Sequence, residues 1–241
     1  MIESTKYQII PKKKPVISQW FNLFAPIILF GVIITSISSD TFGDDTVILM
    51  MILLLAVGSI MINMLEGYIF RQRWQALANR TGLDYYPKSR SLFTQPTLLG
   101  NRHGYATKLA TFSSGLGKFR RQYTRFTILF PFENAESLTI KKRRLFDGQD
   151  VKVDMEDVDK TFTIRTSAPH MAQRIFQSDR LRQGLFDLVG QTKSMSLVVE
   201  EDQLVYTERD RILDLEYLSA LSDFLHKISE YVHHSSKNTS E

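Results

Sequence analysis

Residues 46–65 read TVILMMILLLAVGSIMINML, and residues 66–83 continue without a break as EGYIFRQRWQALANRTGL. The first twenty residues of that stretch carry no charge. At about 1.5 Å rise per residue they cover about 30 Å as a helix, the thickness of a bilayer's hydrocarbon core. From Glu66 the character changes. Trp74, Leu77 and Ala78 keep a helical spacing while charge enters between them, and Thr81-Gly82 is a stop signal. One helix is therefore expected to leave a membrane and enter a water-soluble head, coupling the two rigidly.

Upstream, Trp20 to Ser38 forms a second uncharged stretch containing Leu23, Phe24, Ile27, Ile28, Leu29, Phe30, Val32, Ile33 and Ile34. It is just long enough to span. A signal peptide is the competing reading, because Lys12, Lys13 and Lys14 precede it, but no small-x-small cleavage site follows. The expected organisation is a basic tail over 1–18 and two transmembrane helices within 19–70, at about 20–38 and 46–66. A soluble domain over 71–234 and a disordered polar tail over 235–241 follow.

Orientation follows from charge. No Lys or Arg lies between Gln19 and Phe70, and the connecting turn 39–45 holds three aspartates. Lys12 to Lys14 precede the first span and Arg71, Arg73 and Arg80 follow the second, which places both flanks on the cytoplasmic side. Trp20, Tyr68 and Phe70 sit where interfacial aromatic anchors belong. Within the spans there is no carboxylate, Lys, Arg or His until Glu66, so the hairpin lacks the groups an ion or proton path needs.

After Leu83 the pattern turns to short β-rich runs. Tyr105, Thr107, Leu109 and Thr111 alternate with Ala106, Lys108 and Ala110, and residues 125–130, 138–140, 151–153 and 162–164 read as further strands. Residues 101–104, Asp147-Gly148 and the surroundings of Gly115 supply turns. Pro169 opens a helix, Asp179 is placed to cap a second that Gly190 ends, and 196–200 with 203–207 form a hairpin turning at Glu201-Asp202. A last helix carries Leu218, Leu221, Leu225, Ile228 and Val232, too few heptads for a coiled coil, so it is expected to pack on the domain's own sheet. Strands in succession followed by segregated helices predict an α+β domain with a mainly antiparallel sheet.

Chemistry is hard to find. The chain has no cysteine, which excludes thiolate metal sites, disulfides and thiol catalysis. Residues 113–118, SSGLGK, miss the spacing of a phosphate-binding loop, with Phe112 and Phe119 where glycine and a hydroxyl belong. Residues 154–159 miss that of a calcium loop, with Asp159 at its sixth position and Arg165 at its twelfth. His103, His170, His226, His233 and His234 form no metal-ligand spacing, and no nucleophile elbow occurs. No cofactor is expected.

From Arg71 onward 26 basic residues face 21 acidic ones, a thin surplus that permits an anionic partner without pointing to nucleic acid. The cations placed to contact lipid or a partner are Lys12, Lys13, Lys14, Arg71, Arg73, Lys118, Arg120, Arg121, Lys141, Lys142, Arg143 and Arg144. The two spans followed by Arg73-Trp74, Leu77-Ala78 and Thr81-Gly82-Leu83 resemble uncharacterised bacterial two-pass membrane proteins with a cytoplasmic α+β domain. The resemblance implies no activity. The reading is a non-enzymatic, membrane-anchored protein-interaction, assembly or scaffold factor. Its rivals are an enzyme with a dispersed site and an anionic-lipid sensor whose cations lie at one height.

Overall fold

The computed structural model describes residues 44–87, 96–116, 120–130, 136–144, 150–200 and 202–237. The expected first span, the tail with Lys12 to Lys14, Lys118 and the Asp147-Gly148 turn lie outside them. The first described element, α1, is a single helix of 38 residues, Asp44–Thr81. It stops as the sequence indicates. Gly82 takes a left-handed conformation, φ +72°, and the Leu83 N–H bonds back to the Ala78 carbonyl at 3.1 Å. That six-to-one closure satisfies a terminal carbonyl, and buried Leu83 supplies the apolar contact that goes with it.

Eight strands follow among the described residues: β1 Asp84–Tyr86, β2 Thr97–Arg102, β3 Tyr105–Ser114, β4 Arg121–Leu129, β5 Leu138–Lys142, β6 Phe162–Thr166, β7 Met195–Glu200 and β8 Gln203–Arg209. They form one sheet in the order β1-β2-β3-β4-β8-β7-β5-β6. Every neighbouring pair is antiparallel. The helices are α2 Glu156–Thr161, α3 Pro169–Gln177, α4 Asp179–Gln191 and α5 Leu215–Lys237. The fold is α+β, as the order of patterns predicts.

Strand alternation decides the layers. Tyr105, Thr107, Leu109 and Thr111 of β3 are buried, as are Phe126 and Ile128 of β4, Leu204, Tyr206 and Glu208 of β8 and Leu197 and Val199 of β7. Against that face lie Trp74, Leu77 and Ala78 of α1, Ile175 and Phe176 of α3, Leu185 and Leu188 of α4 and the expected stripe of α5, all in one core. The approach of α4 to α5 is close. A Cβ on Gly184 would stand 2.3 Å from Phe224 Cε2, so only glycine fits there. The hairpin β2–β3 turns on His103 and Gly104, φ 52° and 83°, the two positive values of a tight two-residue turn.

Several expected boundaries shift. Residues 151–153 form no strand. Val151 makes one backbone bond to Ile164, after which Asp154 takes φ 59° and the chain turns into α2, so a ladder cannot continue. The acidic stretch 154–159 is thereby folded largely into a short helix. The N-cap of α4 is Ser178, with Asp179 already in the first turn, and the helix runs past Gly190 to Gln191. At the other end α5 reaches Lys237, beyond Ser235. The core also begins one residue before the expected domain start, at buried Phe70.

Among the described residues no helix is long and apolar enough to cross a membrane. Side chains of α1 are described from Ile52 onward, Leu54, Leu55 and Asn63 excepted. Those that are described show a consistent trend: Ile52, Leu53, Val57, Ile60, Met61, Met64 and Leu65 are exposed large apolar residues.

Candidate functional site

The helices cover one face of the sheet, and the other face presents the alternate residues of each strand. Register joins them into rows. One runs Arg125–Thr207–Ser196–Lys141 across β4, β8, β7 and β5, and the next runs Thr127–Val205–Val198–Thr139. Sheet twist hollows this face into a cleft of about 700 Å³. Its walls carry five cations, Arg125, Lys141, Lys142, Arg144 and Arg209, and a single carboxylate, Glu200.

The cations differ in how far they are already engaged. Lys142 donates to the Val189 and Thr192 carbonyls at 2.9 and 2.8 Å, a cation on the C-terminal end of α4. Arg143 pairs with Asp150 and donates to the Phe162 carbonyl, which ties the β5 edge to β6. Arg144 donates to Ser194 Oγ at 2.6 Å. The basic run 141–144 is therefore not one patch. Lys141 stands on the open face, whereas Lys142, at the rim of the cleft, turns its ammonium to the C-terminal end of α4, and two members of the run do structural work.

Arg125 is held differently. Its guanidinium lies 4.3 Å from the centre of the Phe112 ring, which stacks on Tyr123 at 5.2 Å with the planes 16° apart. Three residues of β3 and β4 thus make a cation-bearing aromatic shelf at one side of the cleft. Arg125 and Lys141 are three strand spacings apart, about 14 Å. That is too wide for one small anion to bridge and suits a ligand with several separated negative charges.

Other expected cations are placed elsewhere. Arg73 donates to the Leu213 carbonyl at 2.9 Å, Arg71 precedes it by two residues on α1 and so points to another side of the helix, and Arg120 and Arg121 are exposed at the start of β4. Arg125, Arg209 and the Phe112–Tyr123 shelf were not singled out from sequence. Alternation marks Tyr123, Arg125 and Thr127 as facing away from the core, but nothing in the sequence says that β4 lies beside β8.

Two buried polar groups are built into the core and closed to solvent. Tyr206 and Tyr217 both donate their hydroxyls to Glu208 Oε2, at 3.0 and 2.7 Å. Burial first, then the partner phenol and the nearby carboxylate, push the Tyr206 hydroxyl well above its usual range; burial and then Glu208 do the same for Tyr217. His226 is bonded through Nδ1 to the Ser222 carbonyl at 2.7 Å and through Nε2 to Thr107 Oγ1 at 3.0 Å. Burial lowers its pKa, partly offset by the bond to Ser222. The first bond makes Nδ1 the donor and leaves neutral Nε2 an acceptor for the Thr107 hydroxyl, whose one proton has the Tyr105 carbonyl at 3.1 Å as its alternative acceptor. Among the described residues no three His, Asp or Glu side chains are grouped to hold a metal ion.

No family model matches the chain, and no curated protein matches it. Among solved structures it is similar to the crystal structure of the mycobacterial trehalose monomycolate transport factor A, TtfA. Identity is 12%, over 65% of this chain and 94% of that one, with a TM-score of 0.40. A likeness at that level carries no argument about what this chain does.

Proposed function

We propose that the chain is a membrane-anchored, non-enzymatic interaction factor. The first half of α1 crosses the bilayer, antiparallel to a preceding span at about 20–38, and the α+β head stands on the cytoplasmic side. The observation that carries this reading is the division of α1. Phe70, Trp74, Leu77 and Ala78 are core, whereas the turns before them expose Ile52, Leu53, Val57, Ile60, Met61, Met64 and Leu65. At about 100° per residue those seven cover more than half the circumference of the helix, a surface that water would not tolerate and acyl chains would.

The head binds its partner through the open sheet face. The cleft offers cations, hydroxyls and an aromatic shelf, and its one carboxylate has no histidine beside it, which favours binding over acid–base chemistry. The width between Arg125 and Lys141 selects an acidic protein segment lying across the strands as occupant.

The test is a mild-detergent pull-down of the tagged full-length protein beside its Arg125→Glu/Arg209→Glu variant. A stoichiometric partner retained by the first, lost by the second and released by raised salt supports the reading. A partner retained equally by both removes the cleft from it.

A further inference from the structure

One end of the sheet is tied, bond by bond, to the turn of α1 nearest the apolar run. The Trp74 indole N–H donates to the Ile212 carbonyl at 3.4 Å, and Arg73 to Leu213. The Ile212 N–H donates to Thr124 Oγ1 at 3.3 Å, and the Asp210 N–H to the Gln122 carbonyl at 2.9 Å. Gln122 pairs with Ser113, one step from the last pair of β3 and β4, Ser114 with Arg121. At the other end of α1's contact with the sheet, Leu83 packs against Gly100. The helix therefore enters at the end of the sheet where β3 gives way to β4, and its upstream half projects beyond that end.

This end has its own chemistry. Leu116, just past β3, is 88% exposed, the highest value among the exposed large apolar residues. Arg120 and Arg121 follow it at the start of β4, and Lys193 stands just before β7, whose neighbour β8 ends on Arg209. Arg71, Arg73 and Arg211 are also at this end, the last with its guanidinium 4.4 Å from the centre of the Phe70 ring. The acids at this level are partly engaged: Asp210 lies 3.7 Å from Lys193 and Asp214 caps α5 through the Glu216 and Tyr217 N–H groups. Glu66 and Glu216 are also on this side. The opposite turns carry Glu136, Glu200 and Asp202, while Arg102 there is paired with Asp223.

Distance brings this end to the bilayer. From Trp74 back to Leu65, the end of the apolar run, is nine residues, about 14 Å of helix. Leu116 stands three residues beyond Ser113, past the bend at Gly115 (φ 103°), and reaches at most about 10 Å further along. The remaining few ångströms fall within the headgroup layer, which adds about 5–7 Å on each side of the hydrocarbon core.

We infer that the β3–β4 end of the head docks on the membrane that holds α1, with Leu116 entering the interface and Arg120, Arg121 and Lys193 engaging the phosphates of anionic lipid. A basic surface held at fixed height over a negatively charged leaflet gains about fivefold in docked population per cation. An apolar side chain between those cations adds contact that phosphate alone would not. The inference rests on the anchor reading above and leaves the sheet-face cleft free for its own partner.

The chain has no cysteine, so Leu116→Cys in the full-length protein takes a single environment-sensitive fluorophore. It is reconstituted in nanodiscs of phosphatidylcholine alone and of phosphatidylcholine with phosphatidylglycerol. The expected result is a blue-shifted emission in the anionic discs, quenched by lipid spin-labelled near the headgroup. The shift is lost in neutral discs, and in anionic discs when Arg120→Gln, Arg121→Gln and Lys193→Gln are added. A water-like emission in anionic discs overturns the docking, and so does a blue shift indifferent to both lipid and charge. Protein that fails to enter the discs defeats the anchor reading instead.

Discussion

The indole N–H of Trp74 donates to the carbonyl of Ile212 across 138 positions of sequence, tying the helix that carries the apolar run to the loop that ends the sheet. The bond lies in the core, with Trp74 fully buried and its ring 4.9 Å from that of Phe70. The last turns of α1 are thus part of the head rather than a linker to it, and motion of the helix upstream of Phe70 is carried to the sheet.

Trp74→Ala is expected to destabilise the head by about 3–5 kcal/mol, the usual cost of emptying a large aromatic site. Trp74→Phe keeps most of the apolar volume and is expected to cost less, near the ~1 kcal/mol of one hydrogen bond plus the missing ring. Urea titration of the full-length protein in detergent, followed by circular dichroism, orders the three proteins.

Gly184→Ala is expected to destabilise by about 1–3 kcal/mol, because the new methyl meets the Phe224 ring with no room to relax. Phe224→Leu in the same background should cost less than the sum of the two single changes. Additive costs in a double-mutant cycle would show that the close approach of α4 to α5 does not govern this position.

Protonation of His226 is opposed in the folded state, so its folded pKa lies below its unfolded value of about 6.5. The unfolded chain then binds more protons over the interval between those values. Stability contributed by neutral His226 is present above pH about 6.5 and is lost as pH falls through the lowered folded pKa. His226→Gln, which retains a donor and an acceptor, should show a shallower loss of stability on acidification. An unchanged profile would assign that loss to other groups.

At the alkaline end the sign reverses. The raised pKa values of Tyr206 and Tyr217 mean that the unfolded chain loses two phenolic protons near pH 10 that the folded chain keeps. Stability is full below pH about 10 and falls as pH rises above it. Glu208→Ala, which leaves both hydroxyls without their acceptor, is expected to cost at least 2 kcal/mol, roughly the penalty for two unsatisfied buried donors. Denaturation midpoints at neutral and alkaline pH measure both effects.

Local signals carried most of the secondary structure. Thr81-Gly82-Leu83 marked the end of α1, the alternation from Tyr105 to Thr111 marked β3 and its buried face, and Glu201-Asp202 marked the β7–β8 turn. Residues 151–153 misled because Val, Lys and Val alternate as a strand would, while the left-handed Asp154 that breaks the ladder leaves no trace in polarity. Strand β1 has only three residues and β2 carries Gly100 and Asn101, so neither shows a strand pattern of its own; β2 is held by its pairing with β3, and β1 by its pairing with β2. The site was legible only in part. A run such as Lys141 to Arg144 looks continuous in sequence, yet in a strand it divides between two faces. The cleft instead gathers Arg125 from β4 and Arg209 from β8, whose adjacency is a property of topology.

The central claim is that α1 is half membrane span and half head, and single cysteines in the cysteine-free chain test it directly. Val57→Cys and Tyr86→Cys variants are exposed to a membrane-impermeant maleimide in inverted membrane vesicles, before and after solubilisation in denaturing detergent. The account predicts that Tyr86→Cys reacts at once, that Val57→Cys reacts only after solubilisation, and that alkaline carbonate leaves both in the membrane pellet. Immediate labelling of Val57→Cys, with release of the protein by carbonate, would contradict it.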